Sequence, residues 1–598
     1  MVTVDRCLIA AILVIGAIQA YGAMDTLPTD GVAYLDLAGR LRDGDWGALL
    51  DRYWSPLYPF MLGVATGIVG GDLALEPRVA HAVNVGLFAV GVALFRGAVG
   101  ALRLVQARTE RQWIIDARTI HGTVILHALF ACGALRFTNV GLVTPDLSVL
   151  VVLVGISRSI LRARAGTAGR GDDLSVGLLL AIGYAAKAAM LPISMAVLAA
   201  YGIARTPAGR AATARAAFVL IIVSTPYVVL LSRAEGRLTT GEAGPLNLAW
   251  YVGQSSSQIP DPMATGTEGI EHPWVRVVER PATYVFPEPR SGTYPAWSDP
   301  ARWQRGLDVS ITPAAVLRSL ARQLVDYYTL FGAMVLGATL LVALHARRGA
   351  GDVPGAVALG VVAGSVVGLY AMVHMEPRFF GGVVIVAGLA VALACSAGGR
   401  TRWWAATGIV LLAVVVASRW PFVIPSLREA GAGLAVAVAV GAWIWFRHVP
   451  RAPASVMLAR TVALALLLAP VVGHVGHGLR QAIATARGEQ VEPSLMVAEA
   501  LRAAGIEPGT SVGSIGASTP AAWARRAGAM IVVEVAERDT DAFWRGSDHD
   551  RAPVLDAMTQ AGAQAVIGRH TSEPGPGWRA VSGTNYWVLP LGASVSSR

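Results

Sequence analysis

Long apolar runs alternate with short polar breaks from residue 7 to about residue 478, after which the pattern changes. Roughly 20 apolar residues in a helix match the ~30 Å hydrocarbon core of a bilayer. Runs near that length predict membrane spans at 7–24, 79–102, 119–137, 146–163, 175–190, 192–204, 216–232, 319–345, 354–373, 380–397, 404–422, 431–447 and 456–477. The fold class expected is therefore a polytopic α-helical membrane protein with about 13 transmembrane helices. The stretch SPLYPFMLGVATGIVGG at 55–71 is also apolar, but it is short and opens with Pro56 and Pro59. It reads as a re-entrant or interfacial segment rather than a span.

From Pro493 onward apolar runs of strand length alternate with amphipathic stretches. SLMVAEALRAAG, STPAAWARRAG and APVLDAMTQAG predict helices, while TSVGSIG, MIVVEV, AQAVIG and YWVLPL predict strands. That order implies parallel strands with helical crossovers, a small soluble α/β Rossmann-like layer. GSIGAS at 513–518 lacks the full G-x-G-x-x-G pattern and is a weak phosphate-loop candidate. Trp523, Trp544 and Trp578 are candidate acceptor contacts on this layer.

Orientation follows the basic loops. With the N-terminus inside, Arg103, Arg108, Arg111 and Arg118 fall on the cytoplasmic side, as do Arg162, Arg164 and Arg170, and Arg205, Arg210 and Arg215. Arg347, Arg348, Arg400, Arg402, Arg447 and Arg451 follow the same rule. This agreement requires that 55–71 does not cross, since one extra span would put every basic loop outside. The outer side then receives residues 25–78, the turn at 139–146, the long segment 233–318, two tight turns near 191 and 374–378, and the C-terminal layer.

Composition supports this picture. Hydrophobic residues make up 54% of the 598 and charged residues only 15%, with a mean hydropathy of +0.54. The formal charge of +10 is accounted for by the loop arginines, so no nucleic-acid partner is expected. One Lys against 48 Arg, with abundant Ala and Gly, suits a GC-rich bacterial genome. Cys7, Cys132 and Cys395 all lie in apolar runs and imply no disulfide framework. The run 7–24 has no clear cleavage site and reads as a retained span.

Charged side chains near membrane depth cost a few kcal/mol and usually face a cavity or a partner. The topology gathers several at one level on the outer side: Asp30, Asp146 in TPDLSVL, Lys187 in GYAAKAAMLP, and His374, Glu376 and Arg378 in HMEPRFFGG. Each also has a plain structural reading. Asp30 and Asp146 suit helix starts, Lys187 could extend to the interface, and Glu376 and Arg378 could pair with each other. The long segment carries Trp250, Tyr251, Trp274, Tyr294 and Trp297 among Pro, Gly and carboxylates, a composition suited to stacking on a saccharide. A loop core or an interfacial belt would use the same residues.

TDGVAYLDLA, WSPLYPFMLG, TPDLSVL and GYAAKAAMLP, in that order and spacing, resemble the GT-C superfamily of lipid-linked-sugar glycosyltransferases. The likeness is to the dolichyl-phosphate-mannose protein mannosyltransferase-like group (glycosyltransferase family 39-like), which includes bacterial aminoarabinose transferases. It is best over 1–205, and HMEPRFFGG is similar to a later element of the group. The end of the apolar runs divides the chain into a transmembrane domain over 1–478, which the resemblance implies is catalytic, and a soluble domain over 479–598, outside the resemblance and expected to be an accessory module. The resemblance also implies an inverting transfer of a sugar from a polyprenyl-phosphate donor to a saccharide, lipid or protein acceptor at the outer face of a bacterial cytoplasmic membrane. Asp30 would be the catalytic base, Lys187 and Arg378 would bind the donor phosphate, and Asp146, Tyr34, His374 and Glu376 are further active-site candidates. The group often has Glu directly after its Asp, whereas Gly31 stands here. With cations on the phosphate, the chemistry requires no metal or other cofactor. A flippase for lipid-linked glycans and a non-catalytic scaffold with an outer sensing domain are the competing readings. The absence of an internal repeat weighs against a flippase.

Overall fold

The computed structural model describes residues 2–108, 113, 115–253, 270–307, 311–330, 352–394, 472–489, 491–519 and 521–591. The expected spans 404–422 and 431–447, most of 456–477, the second half of 319–345, and Cys395 lie outside the described residues.

Among the described residues, six helices are long and apolar enough to cross a membrane. They are α1 (Val2–Gly22), α4 (Glu76–Ala107), Ile120–Thr138, α9 (Gly209–Glu235), Val353–Met372 and Pro377–Ala394. Ile120–Thr138 begins as α5 (Ile120–Ala131) and ends in a π-turn, Cys132–Thr138. Also in the bundle are α6 (Asp146–Arg164), α7 (Arg170–Ala186) and α8 (Met190–Ala204). One continuous apolar core joins α4, α5, α6, α7, α8, Val353–Met372 and Gly381–Ala394.

Between α1 and α4 lie two shorter helices, α2 (Thr29–Arg42) and α3 (Leu57–Ile68). The 12 residues of α3 span only about 18 Å, too little to cross a bilayer. Its Tyr58, Leu62 and Thr66 are buried, while Phe60, Val64 and Ile68 are exposed on the other face. In α2 every residue from Gly31 to Gly39 is buried, polar and apolar alike. Its polar face is covered because the long segment and the C-terminal layer close over it, and all three share a second apolar core.

The C-terminal layer forms the larger part of a seven-stranded mixed sheet. Its strands are β1 (Val275–Val278), β2 (Thr283–Val285), β3 (Ser511–Ile515), β4 (Met530–Val535), β5 (Ala565–Arg569), β6 (Arg579–Ala580) and β7 (Tyr586–Pro590). They lie in the order β1-β2-β4-β3-β5-β7-β6. Only β4, β3 and β5 are mutually parallel. The wholly parallel layer expected from the sequence is thus corrected: β7 runs antiparallel to β5, because no crossover helix separates them. β1 and β2 come from the long segment, and β2 pairs antiparallel with β4. Trp523 is fully buried and donates from Nε1 to the Ala517 carbonyl, so it faces the core rather than an acceptor.

Candidate active site

Asp30 lies in the first turn of α2, whose start is set by Pro28 at φ −73° with no side-chain cap. Its carboxylate is therefore not spent on capping and accepts from Arg378 Nη1 at 2.9 Å. Gly31 follows where the related group often has Glu. A Cβ there would meet the Leu27 Cδ1 at 2.8 Å and the Pro28 Cδ and Val143 Cβ at 3.2 Å, so a larger side chain would require the Leu27 end to shift.

Asp146 opens α6 after Pro145, and its Oδ1 accepts from Lys187 Nζ at 2.7 Å. Lys187 sits at the break between α7 and α8 in extended conformation. The ammonium lies 3.7 Å from the centroid of the Phe379 ring, a cation–π contact.

Arg378 belongs to the 3-10 turn Pro377–Phe380, between Val353–Met372 and Gly381–Ala394. Besides Asp30 it faces Asp146 Oδ2 at 3.6 Å, and its Nε lies 2.6 Å from Glu376 Oε2. The latter approach is off the N–H direction, so the buried Nε–H has no linear acceptor. Glu376 also takes His374 Nε2 at 3.2 Å, and the His374 ring stacks on Tyr251 with centroids 4.3 Å apart.

The fold thus brings Asp30, Asp146, Lys187, His374, Glu376 and Arg378 into one ionic network. The Glu376–Arg378 pairing foreseen as a plain alternative exists, but as one edge of that network. Tyr34, one turn beyond Asp30 on α2, packs edge-on against Trp54 and Tyr58 at 4.9 and 5.3 Å. Burial and then the Asp30 carboxylate push its phenol well above the usual tyrosine range, so it remains a donor.

The aromatic candidates divide. Trp250 and Trp297 stack with centroids 6.0 Å apart and pack against Tyr53 at 5.4 and 6.3 Å. Trp297 also lies 5.6 Å from Trp54, the neighbour of Tyr34. Trp274 instead packs on Phe286, and Tyr294 on Phe286 with its hydroxyl on Glu534 in β4. Trp250, Trp297, Trp274 and Tyr294 are all buried in the second apolar core. Tyr53, Trp54 and Phe379 were missed as site residues. The paired aromatics in DRYWSP and MEPRFF were the available signal.

No family model matches the chain, and no curated protein does. Solved structures do. ArnT from Cupriavidus metallidurans in the apo state superposes with a TM-score of 0.54, at 15% identity over 99% of this chain and 98% of that one. The chain has the GT-C fold. The same enzyme bound to undecaprenyl phosphate matches at 14% identity, with a TM-score of 0.54 and 99% of both chains covered. The GT-C likeness spans the bundle and the C-terminal layer together, since almost all of each chain is covered.

Proposed function

We propose that the protein is an inverting glycosyltransferase that moves a sugar from a polyprenyl-phosphate donor to an acceptor. The supporting observation is the meeting of Asp30, Arg378, Asp146 and Lys187, contributed by four separate segments, at one end of the bundle. A second support is the geometry at Arg378 Nε, whose N–H meets the Glu376 carboxylate at 2.6 Å only off its own direction. A phosphate oxygen in line with that N–H would replace a bent contact by a straight one.

In this reading the donor phosphate enters between Arg378 and Lys187. Its oxygens take over the Arg378 N–H groups, and Asp30 loses its cationic partner and becomes available as a base. The acceptor hydroxyl attacks the anomeric carbon from the face opposite the phosphate. As the new C–O bond forms, its proton passes to Asp30 and the bond to the phosphate oxygen breaks. Charge gathering on the leaving phosphate is met by the two cations in a water-poor site. With both cations in that role the transfer needs no divalent metal. Trp250 and Trp297 are buried against each other and Tyr251 is stacked on His374, so in this reading these rings back the wall of the site rather than lie directly on the sugar.

The finer topology belongs to the same reading. About 13 spans would place the Arg-rich loops in the cytoplasm and the network on the outer side of a bacterial cytoplasmic membrane. The layer over 479–598 would serve as an accessory domain there. The ArnT complex with undecaprenyl phosphate supports a lipid-phosphate ligand for this fold.

Membranes carrying the protein and a radiolabelled polyprenyl-phosphate sugar test the class. Label should pass to an acceptor in the wild type and not in Arg378→Ala. Labelled donor left intact across a panel of sugars and acceptors, with the folded protein present, would contradict the proposal.

A further inference from the structure

Among the contacts of the C-terminal layer with the helix bearing Asp30 is a guanidinium that the proposed chemistry does not use. Arg525, on the helix Ala522–Ala527, donates from Nε and Nη2 to the two Glu76 oxygens at 2.8 and 2.7 Å, and from Nη1 to Asp36 Oδ1 at 3.1 Å. Glu76 opens α4, and Asp36 lies on α2 six residues after Asp30. Arg42 adds a further bond to Glu76 at 3.2 Å.

Asp36 is a junction rather than a base. Its Oδ1 accepts from Thr293 Oγ1 at 2.6 Å and from Arg525, and its Oδ2 accepts from Thr293 N at 2.8 Å and Ser298 Oγ at 2.5 Å. Four donors fill the lone-pair positions of a carboxylate, so none is left for a substrate proton. The junction ties α2 to the long segment beside Trp297 and to the C-terminal layer. Two further bonds flank Asp30 itself: Thr29 Oγ1 donates to the Thr519 carbonyl at 2.8 Å, and Arg526 Nη2 to the Asp25 carbonyl at 2.5 Å. The contact is close, since a Cβ at Gly39 would lie 3.0 Å from Arg525 Nη2.

A planar fork engaged on two carboxylates fixes rotation as well as distance. We propose that Arg525 is a positioning residue: through Asp36 and Glu76 it sets the rotation of α2 and so holds Asp30 in line with Arg378. The C-terminal layer is then part of the catalytic alignment and not only a cover. This inference rests on the reading of Asp30 as the base.

The test uses the full chain in lipid discs, with Arg525→Ala, Arg525→Lys and Asp30→Asn measured side by side. A displacement of about 1 Å at a reacting group costs up to about a hundredfold in rate, so Arg525→Ala should lose tenfold or more in kcat. The KM for donor and the binding of a polyprenyl phosphate should not change. Added guanidinium should restore part of the rate to Arg525→Ala and none to Asp30→Asn. If Arg525→Ala does not fold, Arg525→Lys, which keeps the charge and loses the fork, should show the same split between kcat and KM. Wild-type kcat per folded molecule in the Arg525 variants, with Asp30→Asn inactive, would overturn the positioning role and leave the base intact. Wild-type kcat in Asp30→Asn would remove the base and this inference with it.

Discussion

Glu534 and Tyr294 supply a prediction whose size follows from the structure. Glu534 is buried in β4, and both its oxygens lie 3.1 Å from the Tyr294 hydroxyl. Burial pushes its carboxyl up to about 7, against the pull of hydrogen bonds from Ser518 and Tyr294. In the unfolded chain the group titrates near its ordinary 4.5. Between those values the unfolded chain has lost the proton and the folded one keeps it, so stability falls as pH rises and levels off above about 7. A shift of about 2.5 units is worth roughly 3 kcal/mol in all, of which about 2.5 kcal/mol is lost between pH 5 and pH 8. Hydrogen exchange of β4 amides in the full-length protein, corrected for intrinsic rates, reads this opening energy. Wild-type protection should drop by about 50- to 100-fold from pH 5 to pH 8, since 1.4 kcal/mol is tenfold. Glu534→Gln carries no charge to bury, so its protection should fall less, and at pH 8 it should exceed the wild type. Asp51, also pushed up to about 7 by burial and by Asp299, slopes the same way in both proteins and cancels in the difference. Parallel curves for wild type and Glu534→Gln would refute the reasoning. Loss of sugar transfer in Tyr294→Phe without any change in exchange would do so too.

Three further outcomes follow from the site. Lys187→Met should raise the donor KM by about tenfold or more, the worth of a charge-assisted hydrogen bond, with little effect on acceptor KM; equal losses on both would contradict phosphate contact. Trp297→Ala, Trp250→Ala and Trp274→Ala each empty a place in the second apolar core and should each cost about 3–5 kcal/mol of stability in denaturation. Transfer should persist after EDTA treatment followed by metal-free dialysis, and a loss restored by a divalent ion would show that the two cations are insufficient.

Much of the bundle was legible because apolar run length maps directly onto a helix crossing a bilayer. The predicted spans 79–102 and 216–232 sit inside α4 and α9, and the proline-led 55–71 became the short α3. The network was legible for a related reason. Ionisable residues are so rare in apolar surroundings that Asp146, Lys187 and Arg378 stood out, and topology placed them at one level. What one sequence cannot encode locally is which remote groups share a carboxylate. Asp30 and Asp36 lie on the same helix, and only the fold shows one facing Arg378 and the other saturated by Thr293, Ser298 and Arg525. The same holds for the sheet. Residues 275–285 sit far from 530–535 in the chain, so their pairing left no trace in periodicity, and Tyr294 looked as free to bind sugar as Trp297.

The central claim is that Asp30 takes the proton of the acceptor, and Asp30→Asn tests it most directly because the amide keeps shape and polarity. In a single-turnover transfer assay at saturating donor, the rate should fall by about 10²–10⁴, the usual contribution of a positioned base. Binding of a polyprenyl phosphate should hold or tighten, since Arg378 loses its carboxylate partner at 2.9 Å. Transfer by Asp30→Asn at the wild-type rate would contradict the account.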